Sequence, residues 1–313
     1  MNKHSSIKSS GSLVERAAEM YDFGAALRGN GAPVVPVAEP AMPVAAPVVA
    51  TPTAPITPMQ PRTHHSAATR VAEINRERLA AQNFIVPDGP VSGLSEEFRI
   101  VKRQLLLAAR GGKGFDALPH GERILVCSAH PNEGKTYCAI NLALSMASEK
   151  DNRVLLVDAD FAKPSVLSTL GIESGPGFMD ALADDTVEAE SFIIETDIEG
   201  LSILPAGSRT NQDTEYLAAA RTAQIIDDLT RNDPSRIIIF DSPPALAASP
   251  ASVLALHVGQ VLMIVQADET TDSALRDALS LLSGCDHVQL LLNRTKFSPT
   301  GRKFGNYYGY GAS

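Results

Sequence analysis

The chain has 313 residues, 44% hydrophobic and 20% charged, which predicts a soluble globular domain with one sizeable core. Its 27 Lys plus Arg against 36 Asp plus Glu give a formal charge of −9, which argues against a bulk basic surface and hence against nucleic acid as a partner. No run approaches the roughly 18–20 apolar residues of a membrane span, and MNKHSSIKSSGS lacks the apolar centre of a signal peptide, so any work at a membrane is expected to go through a partner.

The acidity is not uniform. Residues 1–90 carry 8 basic and 7 acidic side chains, and the remainder carries 19 and 29. After residue 290 the sign reverses again, with Lys296, Arg302 and Lys303 and no acidic neighbour. The first segment, 1–31, contains SLVERAAEMYDFGAALR, where Ser12 and Glu15 have capping-box spacing and Leu13, Ala17, Met20, Phe23 and Leu27 fall near one face of a short helix. Residues 32–66 read as a semi-rigid linker, because nine of the chain's 21 prolines lie within 32–61 and favour extended backbone.

Helical patterning returns over 67–110, first at Ala67–Gln82 and then in LSEEFRIVKRQLLLAAR, with Ser95 as the expected N-cap. Phe98, Val101, Leu105 and Ala109 share one face of this second helix, and Glu96, Arg99 and Lys102 share another. From Arg123 the pattern alternates. Short β-branched runs (RILVCSA, RVLLVDAD, LSILPAG, RIIIFDSPP, QVLMIVQAD, HVQLLLN) are separated by helical segments near 135–149, 213–231, 246–257 and 271–283. Near-continuous apolar strands are buried on both faces, and their alternation with helices predicts an α/β domain over 111–296, a mostly parallel sheet flanked by helices. Cys127, Cys138 and Cys285 are widely spaced and fit reduced apolar fillers; the seven His show no ligand spacing.

The first of these strands runs into Ser128-Ala129-His130-Pro131-Asn132-Glu133-Gly134-Lys135-Thr136 and then a helix. Strand, loop ending Gly-Lys-Thr, helix is the order a phosphate cradle needs. Loop amides and the helix N-terminus point at phosphate oxygens, Lys135 reaches the β/γ oxygens and the Thr136 hydroxyl ligates Mg²⁺. Ala129 departs from the pattern, which wants Gly at that position. Two later strands end in acid: VLLV in Asp158-Ala159-Asp160, and IIIF in Asp241-Ser242-Pro243-Pro244. In a parallel sheet both emerge at the carboxyl edge beside the loop, where carboxylates can hold Mg²⁺ and accept a proton from an attacking hydroxyl. Asn293 ends the last strand, where its amide could read a purine edge or simply form a turn.

Together SAHPNEGKT, VLLVDADFAKPS, IIIFDSPP, LPAG at 204–207, the EEFRIVK helix and the tyrosine-bearing C-terminus resemble the bacterial tyrosine kinases, the autokinases of capsule and exopolysaccharide assembly, over about residues 92–313. The SLVERAAE opening and long linker look like the soluble autokinases of exosortase-linked loci. The resemblance implies a P-loop NTPase fold of the ParA/MinD-like type with deviant Walker motifs, using ATP and Mg²⁺. It places Pro131, Asn132, Glu133, Gly134, Lys135, Thr136, Tyr137 and Asn293 on the nucleotide, and Thr136, Asp158 and Asp241 on the metal. Lys135, Asp158, Asp160 and Asp241 become the catalytic set, with Asp158 or Asp160 helping to deprotonate the incoming tyrosine.

Glu96, Arg99 and Lys102 match a Glu-x-x-Arg-x-x-Arg helix through which relatives form rings, with Lys in place of the last Arg and so without its bidentate fork. The 297–313 tail supplies Tyr307, Tyr308 and Tyr310 as acceptors phosphorylated in trans. The implied partners are further copies of the chain, a separate transmembrane activator of the chain-length-determinant type and a protein-tyrosine phosphatase, with a cytoplasmic chain recruited to the inner face of the plasma membrane. Asn132 where Gly is usual, Phe161-Ala162-Lys163 and Ser249-Pro250 are further departures. The rival reading is a ParA/MinD-like ATPase switch that positions a membrane or polysaccharide-assembly partner. Those switches carry a second Lys five residues before the loop Lys, where this chain has His130.

Overall fold

A computed structural model describes residues 71–114 and 116–296. The expected N-terminal helix, the 32–66 linker and the 297–313 tail with its three tyrosines lie outside the described residues, as do 67–70. The chain then runs β1 (Val71–Ala72), α1 (Arg76–Ala81), α2 (Gly93–Arg110), β2 (Arg123–Ser128), α3 (Lys135–Ala147), β3 (Arg153–Asp158), α4 (Val166–Leu170), α5 (Phe178–Ala183), β4 (Ile194–Thr196), β5 (Leu201–Leu204), α6 (Asp213–Ala218), α7 (Ala220–Arg231), β6 (Arg236–Asp241), α8 (Pro250–Leu254), β7 (Gln260–Gln266), α9 (Asp272–Leu281) and β8 (Val288–Asn293). The strands form one sheet in the order β1-β4-β5-β3-β6-β2-β7-β8. Every pairing is parallel except β4 with β5, so the mostly parallel α/β sheet expected from the alternating pattern is present.

Side-chain alternation divides the core into two layers, because successive residues of a strand face opposite sides. Leu125, Cys127, Leu155, Val157, Ile238 and Phe240 face α5, α7 and α8. Ile124, Val126, Val154, Leu156, Ile237 and Ile239 face α2 and α3. The three cysteines are free and buried; burial pushes the Cys127 thiol up to about 11 and Cys138 to about 12, so neither is a nucleophile at neutral pH.

Several expectations are corrected. HVQLLLN is not buried on both faces. It is the edge strand β8, with Leu290 and Leu292 more than half exposed. The 213–231 helix breaks at Ala219, whose ψ of 151 is extended, into α6 and α7. The 246–257 helix shrinks to α8 and a short 3₁₀ turn, because Pro250 serves as a helix start and not as an interior residue. Within 67–82, Val71–Ala72 is a strand on β4, and the helix begins only after Asn75, whose side chain accepts from Arg78 N at 2.9 Å. Strands as short as the edge strand β1 and its neighbour β4 carry too few residues to show a period.

The N-cap of α2 is Ser92, not Ser95. Ser95 N donates to Ser92 Oγ at 3.1 Å and Ser92 N to Ser95 Oγ at 2.9 Å, so Ser95 is the third residue of a reciprocal capping box. Glu96 and Arg99 do pair on the outside of α2, at 2.5 Å. Lys102 does not share their face. It is buried, donates to Ser145 O at 2.7 Å and pairs with Glu149 at 3.1 Å, tying α2 to the end of α3. The segment before α2 clasps the other end of α3. Ile85 N donates to Asn141 Oδ1 at 2.8 Å, Tyr137 Oη to Asn83 O at 2.5 Å, and the Phe84 and Tyr137 rings pack tilted by 39° with centroids 4.8 Å apart.

Candidate active site

Three neighbouring central strands bring the site together. β3 lies on β6 and β6 on β2, all parallel, so their carboxyl ends open at one edge. Register places Asp158 opposite Asp241 and Val126 opposite Asp241, two residues before the phosphate loop begins. Such an edge is where open α/β sheets bind ligands.

The loop geometry explains its residue types. Gly134 precedes α3 with φ +97, a left-handed conformation, and a side chain there would collide with the Asn293 amide. Asn132 is also left-handed, at φ +67, which accounts for Asn standing where Gly is usual, since Asn tolerates that region best among residues with side chains. Ala129 is fully buried at the end of β2, and its carbonyl accepts from Leu246 N at 3.3 Å. No side chain caps α3. Its first amides are therefore available to an anion, where the helix dipole adds to them.

One cation faces three carboxylates. Lys135 Nζ donates to Asp160 Oδ2 at 2.8 Å. Burial pulls the ammonium down, but Asp241, Asp160 and Asp158 outweigh it and hold Lys135 above its ordinary value. Asp158 is a well-satisfied buried acid: Oδ2 accepts from Ser165 N at 2.9 Å and Val166 N at 3.0 Å, and Oδ1 from Asp160 N at 3.3 Å. It thus caps α4, yet burial still pushes it up to about 6. Asp241 is fully buried and among the described residues neither oxygen meets hydrogen-bond geometry with a partner; burial pushes it up to about 7 against the pull of the nearby Lys135 ammonium and Thr136 hydroxyl.

An orphaned buried carboxylate is the donor type that magnesium takes, together with hydroxyl, water and phosphate oxygens. Among the described residues no three or more His, Cys, Asp or Glu could hold a metal among themselves. The residues therefore fit an ion shared between Asp241, the Thr136 hydroxyl and a bound polyphosphate.

Other expected residues face elsewhere. The Tyr137 phenol points at Asn83, away from the loop. Asn293 Nδ2 donates to Glu133 O at 2.9 Å and its Oδ1 accepts from Arg294 N at 2.9 Å, so both ends of its amide are engaged by the protein. Glu133 is buried and turned inward, accepting from His130 N at 2.8 Å. Sequence reasoning missed Ser165, whose amide serves Asp158 and whose hydroxyl lies 3.3 Å from Thr136 Oγ1, and Thr270, which bonds Glu133. Only their place at the carboxyl edge of the sheet could have signalled them. Beside Asp158 a cavity of about 280 Å³ is lined by Pro164, Leu167, Ile172, Pro205 and Ala206.

Residues 123–295, more than half of the chain, match the AAA domain family (AAA_31). The chain belongs to that family. A Staphylococcus aureus protein named as the tyrosine-protein kinase CapB is 25% identical over 238 residues, covering 75% of this chain and 98% of its own. EpsB of Ralstonia nicotianae, also named as a tyrosine-protein kinase, is 27% identical over 200 residues, but this chain spans only 26% of its length. The resemblance to the bacterial tyrosine kinases therefore holds. The crystal structure of the chimerical protein CapA2B2 superposes with a TM-score of 0.58 at 23% identity, covering 72% of this chain and 94% of that one, and shows the fold. Among the described residues no helix is long and apolar enough to cross a membrane.

Proposed function

We propose that the chain is an ATP-dependent protein-tyrosine kinase whose acceptors are Tyr307, Tyr308 and Tyr310 of a second copy, and that it regulates exopolysaccharide polymerisation or export. The observation that carries the reading is the convergence of Lys135, Asp158, Asp160 and Asp241 on one sheet edge, with Asp241 buried and unpartnered. The names of the relatives support the acceptor type.

The chemistry follows from the placements. Backbone amides of 132–136 and Lys135 hold the polyphosphate, with Lys135 exchanging its Asp160 partner for phosphate oxygens. Mg²⁺, when bound, neutralises charge on those oxygens, and Asp241 and Thr136 are the groups that would hold it. The tyrosine phenol enters the cavity beside Asp158. Its oxygen bonds to the γ-phosphorus as the bond to the ADP oxygen breaks, and its proton passes to Asp158. A carboxylate raised to about 6 is still ionised at neutral pH and is a better base than an ordinary one.

The same reading gives the chain its partners: further copies through the Glu96–Arg99 face, a transmembrane activator that recruits it to the inner face of the plasma membrane, and a phosphatase that resets the tail. Each phosphate brings roughly −1.5 to −2 charges, enough to set the tail against the acidic edge and release it. The test is to incubate the full chain with Mg-ATP and map phosphate by mass spectrometry. A Lys135→Met chain mixed with a Tyr307/Tyr308/Tyr310→Phe chain isolates transfer between copies. Phosphate on the Lys135→Met tail is expected; a tail that stays bare in this mixture and in the wild type sinks the proposal.

A further inference from the structure

We propose that Thr270 is a positioning residue that latches Glu133, and that this latch sets how tightly the chain holds a nucleoside triphosphate. The inference rests on the reading of 129–136 as a phosphate loop. It concerns residues whose part in that loop is not visible from spacing, since Thr270 lies 137 positions from Glu133.

Glu133 stands immediately before the helix-start glycine, where a charged side chain would ordinarily reach into solvent. Instead it is only 4% exposed. One carboxylate oxygen accepts from His130 N at 2.8 Å, closing the loop on itself. The other accepts from the Thr270 hydroxyl. Thr270 Oγ1 in turn accepts from Gln266 N at 2.9 Å, and Thr270 N donates to Gln266 O at 3.0 Å. The main chain of Glu133 is held as well, by Asn293 Nδ2 at 2.9 Å. The loop is therefore fastened at one residue to the carboxyl ends of both β7 and β8. The turn that carries Thr270 is itself fixed, because Thr271 caps α9 by accepting from Ala274 N at 3.2 Å.

This arrangement has a consequence for anion binding. A free carboxylate next to Gly134 would repel phosphate and compete for the loop amides. Turned inward and bonded, it leaves those amides facing the ligand. Hydrogen bonds to an ionised group are about twice as strong as neutral ones, so the latch restrains the loop more than a neutral contact of the same length. Without it the loop samples other conformations, and apparent affinity falls by the fraction that stays competent.

The experiment uses the full chain as wild type, Thr270→Val, Thr270→Ser, Glu133→Ala and the Thr270→Val/Glu133→Ala double variant. Calorimetry measures binding of a non-hydrolysable ATP analogue with Mg²⁺. Amide hydrogen exchange of 132–135 is followed without nucleotide. Thr270→Val is expected to weaken binding about tenfold and to speed exchange in the loop. Thr270→Ser, which keeps the hydroxyl, is expected to restore both. The double variant is expected to be no weaker than Glu133→Ala alone, because both changes cut one connection. Binding by Thr270→Val within about twofold of wild type, with unchanged exchange, overturns the latch; so do additive effects in the double variant. Glu133→Ala against Thr270→Ser keeps the test intact if Thr270→Val does not fold. A wild type that fails to bind the analogue refutes the phosphate-loop reading, and the exchange arm then still decides whether the latch exists.

Discussion

Asp158 and Asp241 sit opposite each other at the ends of two paired strands, and both are almost wholly buried. Their surroundings differ. Asp158 collects three backbone N–H groups from the turn that follows it and from the start of α4. Asp241 collects none, because Pro243 and Pro244 follow it and the amide of Ser242 is already given to Val126 O at 3.2 Å. Proline has no N–H to offer. The sequence after each strand thus decides whether a carboxylate becomes a cap or an open acceptor. The cap fixes the wall of the cavity, and the open acceptor waits for a cation.

The sharpest way to break this comparison is to neutralise the open member. Asp241→Asn is expected to lower phosphoryl transfer by about 10³-fold, since a charge aimed at the reacting centre is lost. The same change is expected to stabilise the nucleotide-free chain by about 1–2 kcal/mol, because a carboxylate whose burial outweighs the pull of Lys135 disappears while Lys135 keeps its bond to Asp160. Urea denaturation and a phosphotyrosine assay read the two effects, and a loss of both activity and stability would contradict the assignment. Asp158→Ala is expected to move stability the other way, costing about 2 kcal/mol through three unsatisfied amides.

The next effect is in pH. Both acids are raised in the fold, Asp158 to about 6 and Asp241 to about 7, above the ordinary 3.8. Between these values the native state binds more protons than the unfolded chain. Stability of the nucleotide-free chain therefore falls as pH rises from about 4 through about 7, and is recovered on acidification. Mg²⁺ must displace the Asp241 proton, so Mg²⁺-dependent nucleotide affinity is expected to weaken as pH drops below about 7. Asp241→Asn should flatten the Mg²⁺-dependent affinity and leave in stability only the part due to Asp158, which ends near pH 6, as followed by calorimetry and thermal melts from pH 4 to 8.

The pair also shows what could be read before the fold was known. The strands, their parallel order and the acids at their ends were readable because buried strands force apolar runs and the carboxyl edge concentrates polar residues. The division of labour between the acids was not, because it depends on which amides the following turns aim back. Glu133 shows the same limit. Its place in the loop suggested contact with nucleotide, whereas its bonds run to Thr270, brought near only by the β2–β7 pairing. Lys102 misled for a related reason. Its spacing from Glu96 and Arg99 is helical, but its long stem carries the ammonium back over apolar surface to Ser145 O.

That difference along α2 gives the smallest expected effect. Glu96 and Arg99 form an exposed pair three residues apart, and such pairs contribute about 0.2–0.5 kcal/mol. Arg99→Ala should therefore change the unfolding free energy of the chain by no more than about 0.5 kcal/mol. Lys102→Ala removes a buried donor that ties α2 to α3, although Ser145 O keeps the Ser148 hydroxyl at 2.7 Å and Glu149 keeps Asn152 Nδ2 at 3.1 Å, so it should cost about 1–2 kcal/mol. In assembly the order reverses if the outer face of α2 meets a second copy. Arg99→Ala should then lower the mass seen by light scattering while leaving unfolding nearly untouched. Lys102→Ala should leave the mass at wild-type values under conditions where it remains folded. Equal loss of mass in both variants would place Lys102 in the contact and would mean that its bond to Ser145 O is given up on assembly.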